Sequence, residues 1–87
     1  MPLPCSNGLS QGDLLVWTVE SANGEWRVRG ADADVGVFFN DRLSAIECAH
    51  MLAGLIPPGI VRIEAQDGHL EDLWLHTQRG SLRRVGP

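Results

Sequence analysis

Apolar and polar side chains alternate on both sides of a single Asn-Gly pair. Leu14 to Ser21 and Glu25 to Arg29 flank Asn23-Gly24. A type I′ turn needs positive φ at both central residues, and Asn-Gly supplies it, so the pair predicts a two-residue β-hairpin. That turn fixes the register: Ala22 faces Glu25, Ser21 faces Trp26, Glu20 faces Arg27, Val19 faces Val28 and Thr18 faces Arg29. Period-two alternation then puts Trp17, Val19, Trp26 and Val28 on one side of the ribbon, and Thr18, Glu20, Arg27 and Arg29 on the other. Glu20 and Arg27, directly opposed, make a cross-strand pair worth about 0.2–1 kcal/mol.

Downstream the period changes. Gly30 to Asp34 reads as a turn, and Val35-Gly-Val-Phe-Phe as a third strand, weakened or bulged at Gly36. Asp41 is a natural N-cap, with Asn40 a rival one residue earlier and Ser44 with Glu47 a capping box for a later start; beyond them Ala45, Ile46, Ala49, Leu52, Ala53 and Ile56 recur at helical spacing. Ser44, Glu47 and His50 fall off that stripe. The three alanines allow the helix to sit close to a sheet, and Pro57-Pro58-Gly59 stops it. Ile60 to Gln66 alternates again, with Val61, Ile63 and Ala65 inward and Arg62, Glu64 and Gln66 outward. Asp67-Gly68 predicts a second hairpin that returns through His69 to Gln78. An unbroken two-residue register would oppose Glu64 to Glu71 and Ile63 to Asp72. A bulge near Glu71-Asp72 relieves both and places Leu73 and Leu75 inward, with Trp74 outward beside Arg62.

The element order is β-β-(β)-α-β-β. It predicts a single α+β domain over residues 13–78, an antiparallel sheet of four to five strands with one helix on one face. The other face is left open to solvent or to a partner. Residues 1–12 read as a flexible leader and residues 79–87 as a flexible basic tail.

These residues resemble a small bacterial domain family known only as a domain of unknown function. The likeness covers about residues 15–78 and rests on three features. They are Trp26-Arg27-Val28 on a strand after a tight turn; Asp41, Ala45, Ala49 and Leu52 along the helix; and Ile63 leading to Asp67-Gly68 and Leu70. The resemblance implies the fold and no reaction, cofactor or catalytic residue. A weaker likeness is to the HicB antitoxin family, whose partial double-stranded-RNA-binding-like fold also runs strands into one helix. Its usual Pro-x-Leu-x-Gly segment before the third strand is replaced here by Gly30-Ala31-Asp32-Ala33-Asp34.

Bulk properties narrow the function classes. Eighty-seven residues hold one domain, and a chain of this size buries only roughly 60–65% of its unfolded surface, so its core is thin unless it associates. No apolar run approaches a membrane span, and no secretory signal opens the chain, which points to a cytoplasmic protein without membrane contact. Cys5 and Cys48 form no C-x-x-C and no disulfide framework. Every basic residue is arginine. Residues 1–78 set four of them against all eleven acids, a balance of −7, and Arg79, Arg83 and Arg84 follow in the last nine residues. An acidic body disfavours nucleic acid as a partner, since displacing phosphate counterions needs a basic face.

Candidate chemistry is sparse. His50, His69 and His76 are too scattered to converge with Cys48 on a metal, and read as ordinary surface or edge histidines. Glu64, Asp67, Glu71 and Asp72 crowd one hairpin without a nucleophile or oxyanion hole, and read as a solvated acidic edge. Cys48 lacks a nearby cation to lower its pKa. The sequence therefore predicts no cofactor, no metal and no catalytic set. Trp74 with Leu14, Val16 and Arg62 predicts an apolar patch on the uncovered face, and large apolar patches mark association. The expected function is a non-enzymatic interaction or regulatory module, with itself as a homodimer, or another protein, as partner. The alternative is a nucleic-acid accessory or HicB-like protein using Arg27, Arg29 and the arginine-rich tail, with tryptophans stacking on bases. A small enzyme is the remaining possibility.

Overall fold

A computed structural model of the chain describes residues 14–30 and 36–86. The leader at 1–12 with Cys5, and most of the turn expected at Gly30 to Asp34, lie outside the described residues. Six strands and one helix follow in the order β1 (Leu15–Ala22), β2 (Glu25–Gly30), β3 (Gly36–Phe39), α1 (Arg42–Leu55), β4 (Gly59–Glu64), β5 (Leu70–His76) and β6 (Leu82–Gly86). The strands form one sheet in the order β3-β2-β1-β4-β5-β6. The fold is α+β with a single helix, as the pattern predicts. The sheet has six strands and is mixed, not purely antiparallel. α1 packs on β1, β2, β3 and β4, crosses over the sheet and delivers β4 beside β1 in the parallel sense.

The first hairpin carries the register fixed by its turn. Glu20 pairs with Arg27, Val19 with Val28 and Thr18 with Arg29. Asn23 and Gly24 both take positive φ, 52° and 85°, as a type I′ turn demands. β3 pairs antiparallel with β2 and ends the sheet on that side.

Asp41 caps α1: its carboxylate accepts from the Ser44 backbone N–H at 2.9 Å and from the Ser44 hydroxyl. These two donors also hold its carboxyl below the usual range. Ala45, Ala49 and Ala53 are fully buried and, with Val19, Val28, Val61 and Ile63, make up the core. Small side chains let the helix approach until Ala53 lies over Gly59 (a Cβ built on Gly59 would stand 3.1 Å from that of Ala53). Trp17, Trp26, Phe39, Ile46, Leu52 and Trp74 close the core from its sides.

The second hairpin departs from expectation. Its turn is longer by one residue: Ala65 N–H donates to the His69 carbonyl, Gly68 takes φ of 96°, and Glu64 pairs with Leu70. Glu71 is then skipped, and Ile63 pairs with Asp72. The bulge is where the sequence places it, but the extra turn residue cancels its effect. Val61 therefore opposes Trp74, and Arg62 opposes Leu73. Trp74 lies on the helix side and packs on the core, whereas Leu73 and Leu75 face away from the helix; the expected assignment is reversed.

The carboxylates that motivated the expected register find partners far along the chain. Arg42, in the first turn of α1, donates to the Glu64 carbonyl at the bulge and to the Glu71 carboxylate, and its guanidinium stacks over Trp26 at 5.3 Å. Asp72 accepts from Arg84 Nε at 2.6 Å. That arginine belongs to β6, which occupies the stretch expected to be a flexible tail and pairs antiparallel with β5.

Candidate interaction surface

Among the described residues no helix covers one face of the sheet, and this uncovered face is built by residues that register places opposite one another. One row crosses it as Arg29, Thr18, Arg62 and Leu73; the next as Val16, Ile60, Leu75 and Arg83. Leu14 precedes Val16 by two residues and continues the second row's side of the sheet, 47% exposed. Beyond Arg29 and Thr18, a third row brings Phe38, Arg27 and Glu20 together. The face is thus divided. Leu14, Val16, Ile60 and Leu75, with Leu73 beside them, form an apolar half, and arginines and glutamates form a polar half.

Of the sequence-predicted contact residues, Leu14, Val16, Arg62, Arg27 and Arg29 share this face. Trp74 does not: its ring lies on the helix side, at 5.9 Å from the His50 ring in an edge-to-face arrangement. Leu73, Leu75 and Ile60 take its place in the patch. The period-two pattern of β4 and β5 contained that signal, but the turn length that decides the face could not be read from Asp67-Gly68 alone.

Charges in the polar half are largely met within the chain. Glu20 accepts from Arg27 Nε at 2.7 Å and from Arg29 Nε at 3.0 Å. The hydrogen bond from Arg29 first, and that from Arg27, hold its carboxyl below the usual range against the effect of burial. Arg62 lies 3.4 Å from Glu64, and Arg27 stacks on Phe38 at 5.9 Å. Thr18, at 6% exposure, is the buried polar residue of the described chain and lies among these arginines. At the end of the apolar half, Leu14, Pro58, Leu75, Thr77, Gln78 and Arg79 line an open hollow of about 490 Å³.

The histidines distribute differently from the sequence reading. His69 stays exposed beside Asp67 at the turn. His50 and His76 meet: His50 Nδ1 lies 2.8 Å from His76 Nε2, bridging α1 and β5. Their ring centroids are 5.1 Å apart, little more than the N···N distance plus the two ring radii, so the nitrogens aim at each other. That geometry suits one shared proton and leaves no room for a cation between the rings. His50 lies off the alanine stripe, as expected, but the sheet extends past the helix to β5 and covers it. Among the described residues no three of His, Cys, Asp and Glu gather to hold a metal ion, and no helix is long and apolar enough to cross a membrane. Burial pushes the Cys48 thiol up, away from the reactive thiolate.

Comparison with protein-family models, with curated proteins and with solved structures finds no match to this chain.

Proposed function

We propose that this protein is a non-enzymatic interaction module that associates with a second copy of itself through the uncovered sheet face. One observation carries the reading: Leu14, Val16, Ile60, Leu75 and Leu73 are contiguous on the side of the sheet without a helix. A second copy suits this face for two reasons. Glu20 and Glu64 already pair Arg27, Arg29 and Arg62 beside the strip, so these charges do not confront one another unpaired when the face meets its mate. The core of the described chain holds seven buried apolar residues, three of them alanines, and covering the strip adds the burial such a domain needs.

The nucleic-acid alternative depends on Arg27, Arg29 and the arginine-rich tail; the guanidiniums of Arg27 and Arg29 are engaged by Glu20, and in the tail Arg84 is engaged by Asp72. Phosphates would have to displace an internal carboxylate to reach them.

Sedimentation velocity at about 10–100 µM, where dimers of micromolar affinity assemble, checks the proposal. The expected species is a dimer, and Leu75→Lys, which sets a charge in the middle of the strip, is expected to give a monomer with unchanged far-UV circular dichroism. A wild-type chain that sediments as a monomer across that range overturns it.

A further inference from the structure

We infer that the outer edge of β6 is a docking site for an extended acidic peptide segment, which adds to the sheet as a seventh strand. Among the described residues β6 is the last strand in the order β3-β2-β1-β4-β5-β6, paired with β5 on one side only. Leu82 to Val85 are all exposed. A strand with one free side presents a row of backbone donors and acceptors, which is the template for strand addition.

The charge at this edge selects the occupant. Three of the seven arginines, Arg79, Arg83 and Arg84, lie on β6 or in the turn that leads to it, in a chain of net charge −4. Arg84 already shows the pairing chemistry: it reaches across to Asp72 on β5, at 57% exposure. Arg79 and Arg83 have no carboxylate within salt-bridge distance among the described residues. A second copy of β6 is a poor occupant. Antiparallel pairing of Leu82-Arg83-Arg84-Val85 with itself sets arginine against arginine in either register, and like charges directly opposed destabilise a ladder.

Register also gives the pattern of the added strand. Leu82 pairs with His76 and Arg84 with Trp74 on the helix side of the sheet, while Arg83 pairs with Leu75 on the uncovered side. Residues opposite Leu82 and Val85 are best apolar and β-branched, and those opposite Arg83 and Arg84 acidic. The segment therefore reads apolar-acidic-acidic-apolar.

Fluorescence anisotropy with a labelled Thr-Val-Glu-Glu-Val-Thr peptide and the full chain tests this. Saturable binding is expected, weakening several-fold as salt rises from about 50 mM to about 300 mM. Arg83→Glu is expected to weaken it at least about tenfold, a loss of about 1.4 kcal/mol. Arg83→Lys retains most of it, and both variants keep the far-UV circular dichroism of the parent. A peptide of the same sequence with alternate backbone nitrogens methylated keeps its charges but loses its donors, and is expected not to bind. Equal binding by the methylated peptide makes the contact purely electrostatic and overturns the proposal. So does binding of a labelled single-stranded oligonucleotide that outcompetes the peptide, or the absence of peptide binding at low salt.

Discussion

His50 and His76 accommodate one proton between them, and that count makes their contact sensitive to acid. With both rings neutral, one nitrogen donates and the other accepts across 2.8 Å. With both rings charged, both facing nitrogens carry hydrogens and the contact must open. Burial first, and for His50 the neighbouring ring second, holds both pKa values below the ordinary 6.5. No carboxylate or guanidinium among the described residues bonds to either ring. Glu47, one turn back on α1, is exposed, and Asp72 and Arg84 on the same side of the sheet bond to each other. The depressed folded-state values mean that the unfolded chain takes up protons first. The contribution is therefore complete above about pH 6.5 and is lost as pH falls through the folded-state values. Thermal melts from pH 7.5 to pH 5 are expected to show a falling midpoint, and His76→Gln, which removes the titrating partner, is expected to flatten the fall. A wild-type midpoint that is level across this interval rules out acid sensitivity of the His50–His76 contact.

At the scale of elements, α1 and β4 are held together by how little side chain lies between them. Ala45, Ala49 and Ala53 are fully buried, and Gly59 lies under Ala53. A methyl group added at Gly59 meets the Ala53 Cβ at 3.1 Å and its backbone carbonyl at 3.2 Å, so the helix must lift from the sheet. Gly59→Ala is expected to destabilise the domain by about 1–3 kcal/mol in urea unfolding. Gly24→Ala is a useful contrast, because its cost comes only from its φ of 85°, with no neighbouring atom in the way. Elements of this kind were legible in the sequence because their causes are local. An Asn-Gly turn fixes a register, an Asp caps a helix and a Pro pair ends it. The second hairpin was legible only in part. Its bulge could be inferred from opposed acids, but the answer to those acids lies elsewhere: Arg42 from the helix and Arg84 from β6. Without those partners the acids argued for moving the register, and Trp74 was placed on the wrong face. β6 itself was missed because Gly80-Ser81 and a run of arginines resemble a fraying end. Its exposed residues show no alternation for a core to impose.

For the whole molecule, the decisive quantity is the balance between a small core and an uncovered apolar strip. A domain of this length is stabilised by only about 5 kcal/mol when it folds alone. Association adds to that through mass action, and the added stability depends on concentration in a way that intramolecular packing cannot imitate. If folding and pairing are linked, raising the chain concentration a hundredfold adds about 2.7 kcal/mol per dimer, which moves the midpoint up by roughly 5–10 °C for a unit of this size. Calorimetry at two concentrations is expected to show that shift for the parent chain. Leu75→Lys, in the strip, is expected to abolish it. Leu43→Lys is the matched control: Leu43 is 63% exposed on the opposite side of the molecule, on the outer surface of α1, and its replacement is expected to leave the shift intact. A midpoint independent of concentration in the parent overturns self-association, and a shift lost equally in both variants places the contact somewhere other than the uncovered face.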